Sequence, residues 1–416
     1  MTRKSKIFIV ITILILLALI TGGFFVISKV KVENGKIGIK TKTDEPIKGP
    51  DLGKSGNDND NPFNSLVISP TDPNTVYVGS EGNGIFKTTD GGKTWQWLRN
   101  GIQHDSTHYP EIYDMVINPL DESIVYTALT NGPAPPESIK KTPGAGAGIY
   151  KSLDGGENWV QKNNGLQNIA ANSITMSPTD PNTLFAGFDG EEPSYTQIEK
   201  VDVPGGLWKS TDAGENWSKL ILPDKSDQNR FNRIIIPKEK PNYLFTIGLT
   251  WKEISNKTYG PDPENSVGLI KSSDNGKSWK VINPPNTFIA YFDVANDGKT
   301  IYAVPLDVYE VYKSKDGGET WETIPTSAAG VIEVFPQDPN KLLFSRGGPL
   351  SLSTDGLKNY SDVLTVKDPI SDIEIFAANP KIVYMAVSGL IIYKSTDGGK
   401  NFKKIANLRE FINTHE

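Results

Sequence analysis

Ser395-Thr-Asp-Gly-Gly-Lys-Asn-Phe402 is one of seven copies of a phrase that returns along this chain. The other copies begin at Thr88, Ser152, Ser210, Ser272, Ser314 and Ser353. The shared pattern is Ser/Thr-x-Asp-x-Gly-x-x-Trp, with Leu357 replacing Gly in the sixth copy and Tyr360 and Phe402 replacing Trp in the last two. A phrase that recurs at structural intervals is the signature of a repeat architecture.

The surrounding residues repeat as well. Ahead of each phrase stand a strand-like run, a Pro/Asp/Asn turn and a second strand-like run. Repeat one reads Leu66-Val-Ile-Ser-Pro-Thr-Asp-Pro-Asn-Thr-Val-Tyr-Val78, and repeat three reads Ile174-Thr-Met-Ser-Pro-Thr-Asp-Pro-Asn-Thr-Leu-Phe-Ala186. Proline cannot donate to a strand ladder, so Asp-Pro punctuates the two runs as a turn. A third run such as Gly84-Ile-Phe-Lys87 leads into the phrase, and a fourth such as Trp95-Gln-Trp-Leu98 follows it. Four short antiparallel strands per unit, repeated radially, predict a β-propeller blade. The fold class is therefore all-β, a seven-bladed propeller over residues 62–410 with a tail at 411–416.

Turn chemistry accounts for the phrase itself. The hairpin between the third and fourth strands needs backbone freedom at positive φ, which glycine supplies. Asp90, Asp154, Asp212, Asp274, Asp316, Asp355 and Asp397 are placed to accept bonds from their own turns' backbone N–H groups. Trp95, Trp159, Trp217, Trp279 and Trp321 are placed to pack on a neighbouring sheet. All twelve are read as structural.

The phrase resembles the Asp-box, or BNR, repeat. That repeat is found in sialidases, the sortilin ectodomain, xyloglucanase-type glycoside hydrolases and a photosystem II assembly factor. The resemblance spans nearly everything outside the N-terminus. It implies a propeller whose box turns lie on the face away from any ligand.

The N-terminus reads Met1-Thr-Arg-Lys-Ser-Lys6, then apolar residues run from Ile7 to Ile27. Such a run has the length that spans a bilayer, about 20 residues. Residues 1–6 are expected as a basic cytoplasmic head, and 7–28 as an uncleaved transmembrane signal anchor rather than a cleaved signal peptide. Residues 29–61, rich in Lys, Gly, Asp and Asn, read as a flexible stalk, with 36–42 as a possible extra strand. The propeller is then extracytoplasmic on a single-pass membrane protein. With no cysteine in the chain, disulfides and thiolate metal sites are excluded, which suits a Gram-positive-type bacterium. The net charge of −6 and the lack of a basic stripe argue against nucleic acid as a partner.

Unequal spacing locates the candidate binding face. Successive phrase aspartates stand 64, 58, 62, 42, 39 and 42 residues apart. The extra residues mostly lie between second and third strands, at 130–146, 189–206 and 251–267, and the linker from blade one to blade two, 99–112, is also long. Repeat-specific insertions map to loops on one face, predicting a lip over blades one to four. It would present His104, His108, Glu191, Glu192, Tyr195, Trp251 and Tyr259, since exposed aromatics with carboxylates suit a sugar or peptide cleft. No metal site and no cofactor is expected.

Two functions follow from the resemblance. A membrane-anchored binding or assembly scaffold without catalysis, holding a protein or peptide, fits a single propeller on a stalk. The alternative is a carbohydrate-active propeller, either a xyloglucanase-type hydrolase or a lectin-like glycan binder. Hydrolysis needs two carboxylates. Glu81 and Asp189, each just after a second strand, are the candidates, with surface polarity as their ordinary explanation. Sialidase activity is not expected, because the arginines that clamp a carboxylate are too few.

Overall fold

The computed structural model describes residues 29–33, 36–40, 63–103, 110–130, 146–166, 170–189, 205–223, 229–255, 258–262, 264–285, 287, 289–305, 310–326, 330–345 and 349–415. The predicted anchor at 7–28 lies outside them. Among the described residues, no helix is long and apolar enough to cross a membrane.

The chain divides into two compact units, 1–51 and 52–415. In the first, Lys29–Glu33 and Lys36–Lys40 pair as an antiparallel hairpin and form a sheet of their own. Both strands lie within the stretch 29–61 that was expected as a stalk. Asn34-Gly35 between two alternating runs is a strong hairpin signal.

The second unit is the seven-bladed propeller. Each blade is a four-stranded antiparallel sheet in simple sequence order. Blade one comprises Phe63–Ile68, Val76–Ser80, Gly84–Thr88 and Gln96–Leu98. The first strands of the other blades are Glu111–Ile117, Ala171–Met176, Arg230–Ile235, Ile289–Val294, Ile332–Val334 and Ile370–Ile375. All seven first strands line a central channel of about 590 Å³. The second strands, from Val76–Ser80 to Val383–Val387, are buried at every residue in every blade. Their continuous apolar runs suit a strand covered on both faces.

The phrase folds as a tight turn, as expected, and the copies superpose in detail. The Ser or Thr hydroxyl accepts the N–H four residues on, at 2.8–3.0 Å. The Asp carboxylate accepts the N–H of its own fourth successor, at 2.8–3.0 Å. A feature not read from the sequence completes it. That successor is always Thr, Asn or Ser, and its side chain donates to the second carboxylate oxygen at 2.5–2.7 Å. The two residues after the Asp adopt left-handed φ, even where they are Ala213, Asn275 or Leu357.

The phrase tryptophans pack on the preceding blade. Trp159 joins Tyr77, Leu98 and Ile102 of blade one in one buried cluster. Its backbone carbonyl leaves Gly101 no room, since a Cβ there would lie 2.1 Å away. Lysines of the third strands complete the stitch. Lys87 and Lys151 donate to the turn carbonyls of Gly155 and Ala213 in the following blade, at 2.8 and 3.0 Å.

Among the described residues no strand is exchanged where blade seven meets blade one, and side chains close the ring. Asp372 accepts the backbone N–H of Leu66 at 2.9 Å. Tyr384 donates to the carbonyl of Pro73 at 2.8 Å. The C-terminal helix Leu408–His415 buries Leu408 and Ile412 in a cluster with Phe86 of blade one.

Candidate functional site

In every blade a residue of the signature turn donates its N–H to a carbonyl of the first-to-second-strand turn, as Gly91 does to Asn74 and Gly155 to Ser123. Both turns therefore share one face. The ends of the second strands and the starts of the third strands lie on the other.

His104, His108, Glu191, Glu192 and Tyr195 lie outside the described residues. Trp251 and Tyr259 belong to a two-stranded hairpin, Trp251–Ser255 with Thr258–Pro261, inside the blade-four insertion, and only their backbone is described. The base of that insertion is pinned. The Asp262 backbone N–H donates to the Thr250 carbonyl at 2.7 Å. Buried Asn229 accepts the Val267 N–H at 2.7 Å and donates to the Asn265 carbonyl at 2.9 Å.

Glu81 and Asp189 occupy equivalent positions two blades apart. Each follows the second-strand residue, Ser80 or Phe188, that pairs with the start of the first strand. Glu81 is half-buried. Asp189 is not the surface residue that its sequence context suggests, for only 7% of it is exposed. It pairs with Arg230 of the next blade, Nε to Oδ1 3.4 Å. The Arg230 guanidinium also donates to Asn172 at 3.2 Å and lies over the Tyr113 ring. Burial pushes the Asp189 carboxyl up, while Arg230 and a hydrogen bond with Asn172 pull it down and Glu111 pushes it up again. Burial pushes the Tyr113 hydroxyl up to about 12. Asp189, Arg230, Tyr113, Asn172 and Glu111 thus form one polar network at the channel mouth, on the insertion face.

The phrase aspartates carry none of this chemistry. Hydrogen bonds within the turn, from Asn216 first, hold the Asp212 carboxyl down at about 2. A carboxylate so tied is spent on its own backbone.

Deeper in the channel lies a cluster that sequence reading missed. Asp114, Arg233, Tyr291 and Asp372 share one register level of the first strands. Asp293, Glu333 and Glu374 follow two residues along. Arg233 bonds to the Tyr291 hydroxyl, to Glu333 at 3.1 Å and to Asp293 at 3.4 Å. The available signal was a charged residue at one fixed distance before the Pro/Asp/Asn turn. Among the described residues no group of His, Cys, Asp and Glu has the arrangement to hold a metal ion.

Comparison with known proteins adds what geometry alone leaves open. No family model matches the chain. Xyloglucanase Xgh74A of Acetivibrio thermocellus is 23% identical over 366 residues, covering 82% of this chain and 38% of the relative. A Paenibacillus xyloglucanase is 24% identical over 376 residues, covering 82% of this chain and 31% of the relative. The chain thus spans well under half the length of the curated relatives it matches. Among solved structures, the GH74 xyloglucanase from Xanthomonas campestris superposes with a TM-score of 0.58 at 16% identity, over 82% of this chain and 52% of that one. A structure described as YCF48 bound to D1 peptide gives 0.52 at 13% identity, over 81% of this chain and 94% of that one. These likenesses support the seven-bladed fold.

The expectation of a non-catalytic binding scaffold is corrected by these relatives. The similarities in sequence, over most of the chain, are to proteins named as xyloglucanases. The turns that dominated the sequence reading are scaffold on the opposite face, so they could not discriminate between the two functions.

Proposed function

We propose that the chain is a carbohydrate-active propeller of the glycoside hydrolase kind, engaging a β-glucan chain such as xyloglucan on its insertion face. The observation that carries this is sequence similarity to xyloglucanases over 82% of the chain. The channel-mouth network on the same face supports it, because a sugar chain is held by carboxylate, amide and guanidinium groups beside an aromatic ring.

Glycoside hydrolysis with inversion uses an acid and a base about 6.5–9.5 Å apart, leaving room for water. Glu81 is the candidate base, being half-buried at the end of its strand. Asp189 is the candidate acid. Its burial favours the protonated form, and Arg230 limits that effect. Since polymeric glucan does not cross a bilayer, this reading keeps the propeller extracytoplasmic, with residues 7–28 as its anchor.

The test is incubation of the full chain with xyloglucan and other β-glucans, scoring both reducing ends and retardation in glucan-containing gels. Turnover or retardation that is lost in Glu81→Gln or Asp189→Asn is the expected result. If no β-glucan is cleaved or retards the protein, the reading is wrong.

A further inference from the structure

The central channel carries charge that the glycan face does not use. Five carboxylates, those of Asp114, Asp293, Glu333, Asp372 and Glu374, line it together with the single guanidinium of Arg233. The acids are not spread evenly. At the level of Asp293, Glu333 and Glu374, the remaining described positions are Val67, Val116, Thr175 and Ile235. One wall, from blades five to seven, is acidic, and the facing wall is largely aliphatic.

Three of these carboxylates are also ties between blades. Asp114 of blade two accepts the N–H of Ile174 in blade three at 2.9 Å. Asp293 of blade five accepts the N–H of Val334 in blade six at 2.7 Å. Asp372 of blade seven accepts the N–H of Leu66 in blade one at 2.9 Å, which closes the ring. Arg233 of blade four reaches both blade five and blade six. The groups that hold the inner ring together are therefore the same groups whose charges crowd the channel.

We propose that this channel is a proton-operated lock on the propeller ring, tight when Glu333 and Glu374 hold protons and weakened when they ionise. Ionised, the two glutamates add charge beside the three tie aspartates, and one arginine cannot offset them all. The repulsion acts across blades two, five, six and seven, and so on the closing seam.

The surroundings of Glu374 bear this out. Its own strand supplies Asp372. The first strands of blades two, four, five and six supply Asp114, Arg233, Tyr291 with Asp293, and Glu333. At these two levels blades one and three contribute no titratable group, only Ser65, Val67, Ser173 and Thr175. Burial, then Asp372, pushes the Glu374 carboxyl up to about 8, with Arg233 pulling the other way. Burial likewise pushes Asp114 up to about 7 and Asp372 up to about 6. Glu333 and Asp293 are raised by burial too. A carboxyl that binds its proton more tightly folded than unfolded stabilises the fold fully below its unfolded pKa. That contribution is lost as pH rises through the folded values, here from about 6 to about 8.

The experiment is unfolding of the full chain at about pH 5.5 and about pH 8.5 in chelator-treated buffer, for the native protein, Glu374→Gln and Glu333→Gln. The native protein is expected to be less stable at the higher pH. Glu374→Gln should lower its unfolding equilibrium constant more at the higher pH than at the lower, the two effects differing by at least about tenfold, the factor for one pKa unit. Hydrogen exchange at the Leu66 amide, corrected for intrinsic rate, should slow in the same variant at the higher pH. Equal pH slopes in all three proteins, or a native protein that gains stability across the interval, would overturn the proposal. If one glutamine variant fails to fold, the other decides by the same readouts.

Discussion

Replacing Ser210 with Ala isolates the chemistry of the signature turn. The Ser210 hydroxyl is buried and accepts the Gly214 N–H at 2.9 Å while donating to the Asp212 carboxylate at 2.8 Å. Alanine leaves the Gly214 N–H buried without a partner. An unsatisfied buried donor costs about 1–3 kcal/mol. The six other copies have the same geometry, so the same replacement at Ser152, Ser272, Ser314, Ser353 or Ser395 should cost a similar amount. Copies in non-adjacent blades should add, because sites more than about 7–10 Å apart with no shared partner are usually independent. Denaturant unfolding reads this as a shift in midpoint at constant slope. Ser210→Thr should recover most of the loss, because Thr88 fills the equivalent slot in blade one with the same bond at 2.9 Å. If alanine costs less than about 0.5 kcal/mol, the range of an ordinary surface change, the hydroxyl is not what holds the turn.

Other perturbations probe the seams and the channel. Gly101→Ala would push a Cβ against the Trp159 carbonyl, at a φ of 88°; the backbone strain alone is about 1–3 kcal/mol, and a melt with less than that loss would contradict the close approach. Leu408→Ala should cost about 2–5 kcal/mol, and limited proteolysis should then cut first near the blade-seven to blade-one seam; unchanged cleavage sites would argue against closure by the helix. Arg233→Met removes the cation facing Asp293, Glu333 and Tyr291. Breaking a buried pair costs about 3–5 kcal/mol, and the loss should be larger at about pH 8.5 than at about pH 5.5, where the acids hold protons. A loss independent of pH would mean that Arg233 acts by packing alone.

Fold and site were unequally legible. Blade count and strand order could be read because each blade repeats its own punctuation, a Pro/Asp/Asn turn and a Gly-containing hairpin, in register. The channel acids did not show, for a physical reason. Ile370-Ser-Asp-Ile-Glu-Ile375 alternates apolar and polar residues, which in an ordinary sheet means one face in solvent. Only the closing of seven first strands into a ring turns that outward face into an enclosed one. The burial of Asp189, though not the residue itself, escaped for a similar reason, since it packs against Arg230 from another blade. The hairpin at 29–40 was masked by the polar composition around it, although Asn34-Gly35 announced it.

The unexchanged seam has a consequence for timing. Asp372 and the Leu66 amide it holds are 306 residues apart. Every sheet, by contrast, is built from one uninterrupted stretch of chain. Each blade has all its strands in hand as soon as its own residues leave the ribosome, and none must wait for a segment from the far end. Blade one nevertheless keeps an open flank until the last blade arrives. Loop-closure entropy rises only with the logarithm of length, so the long wait adds little to the thermodynamic cost of closure. What it extends is the interval in which that flank can be met by another molecule.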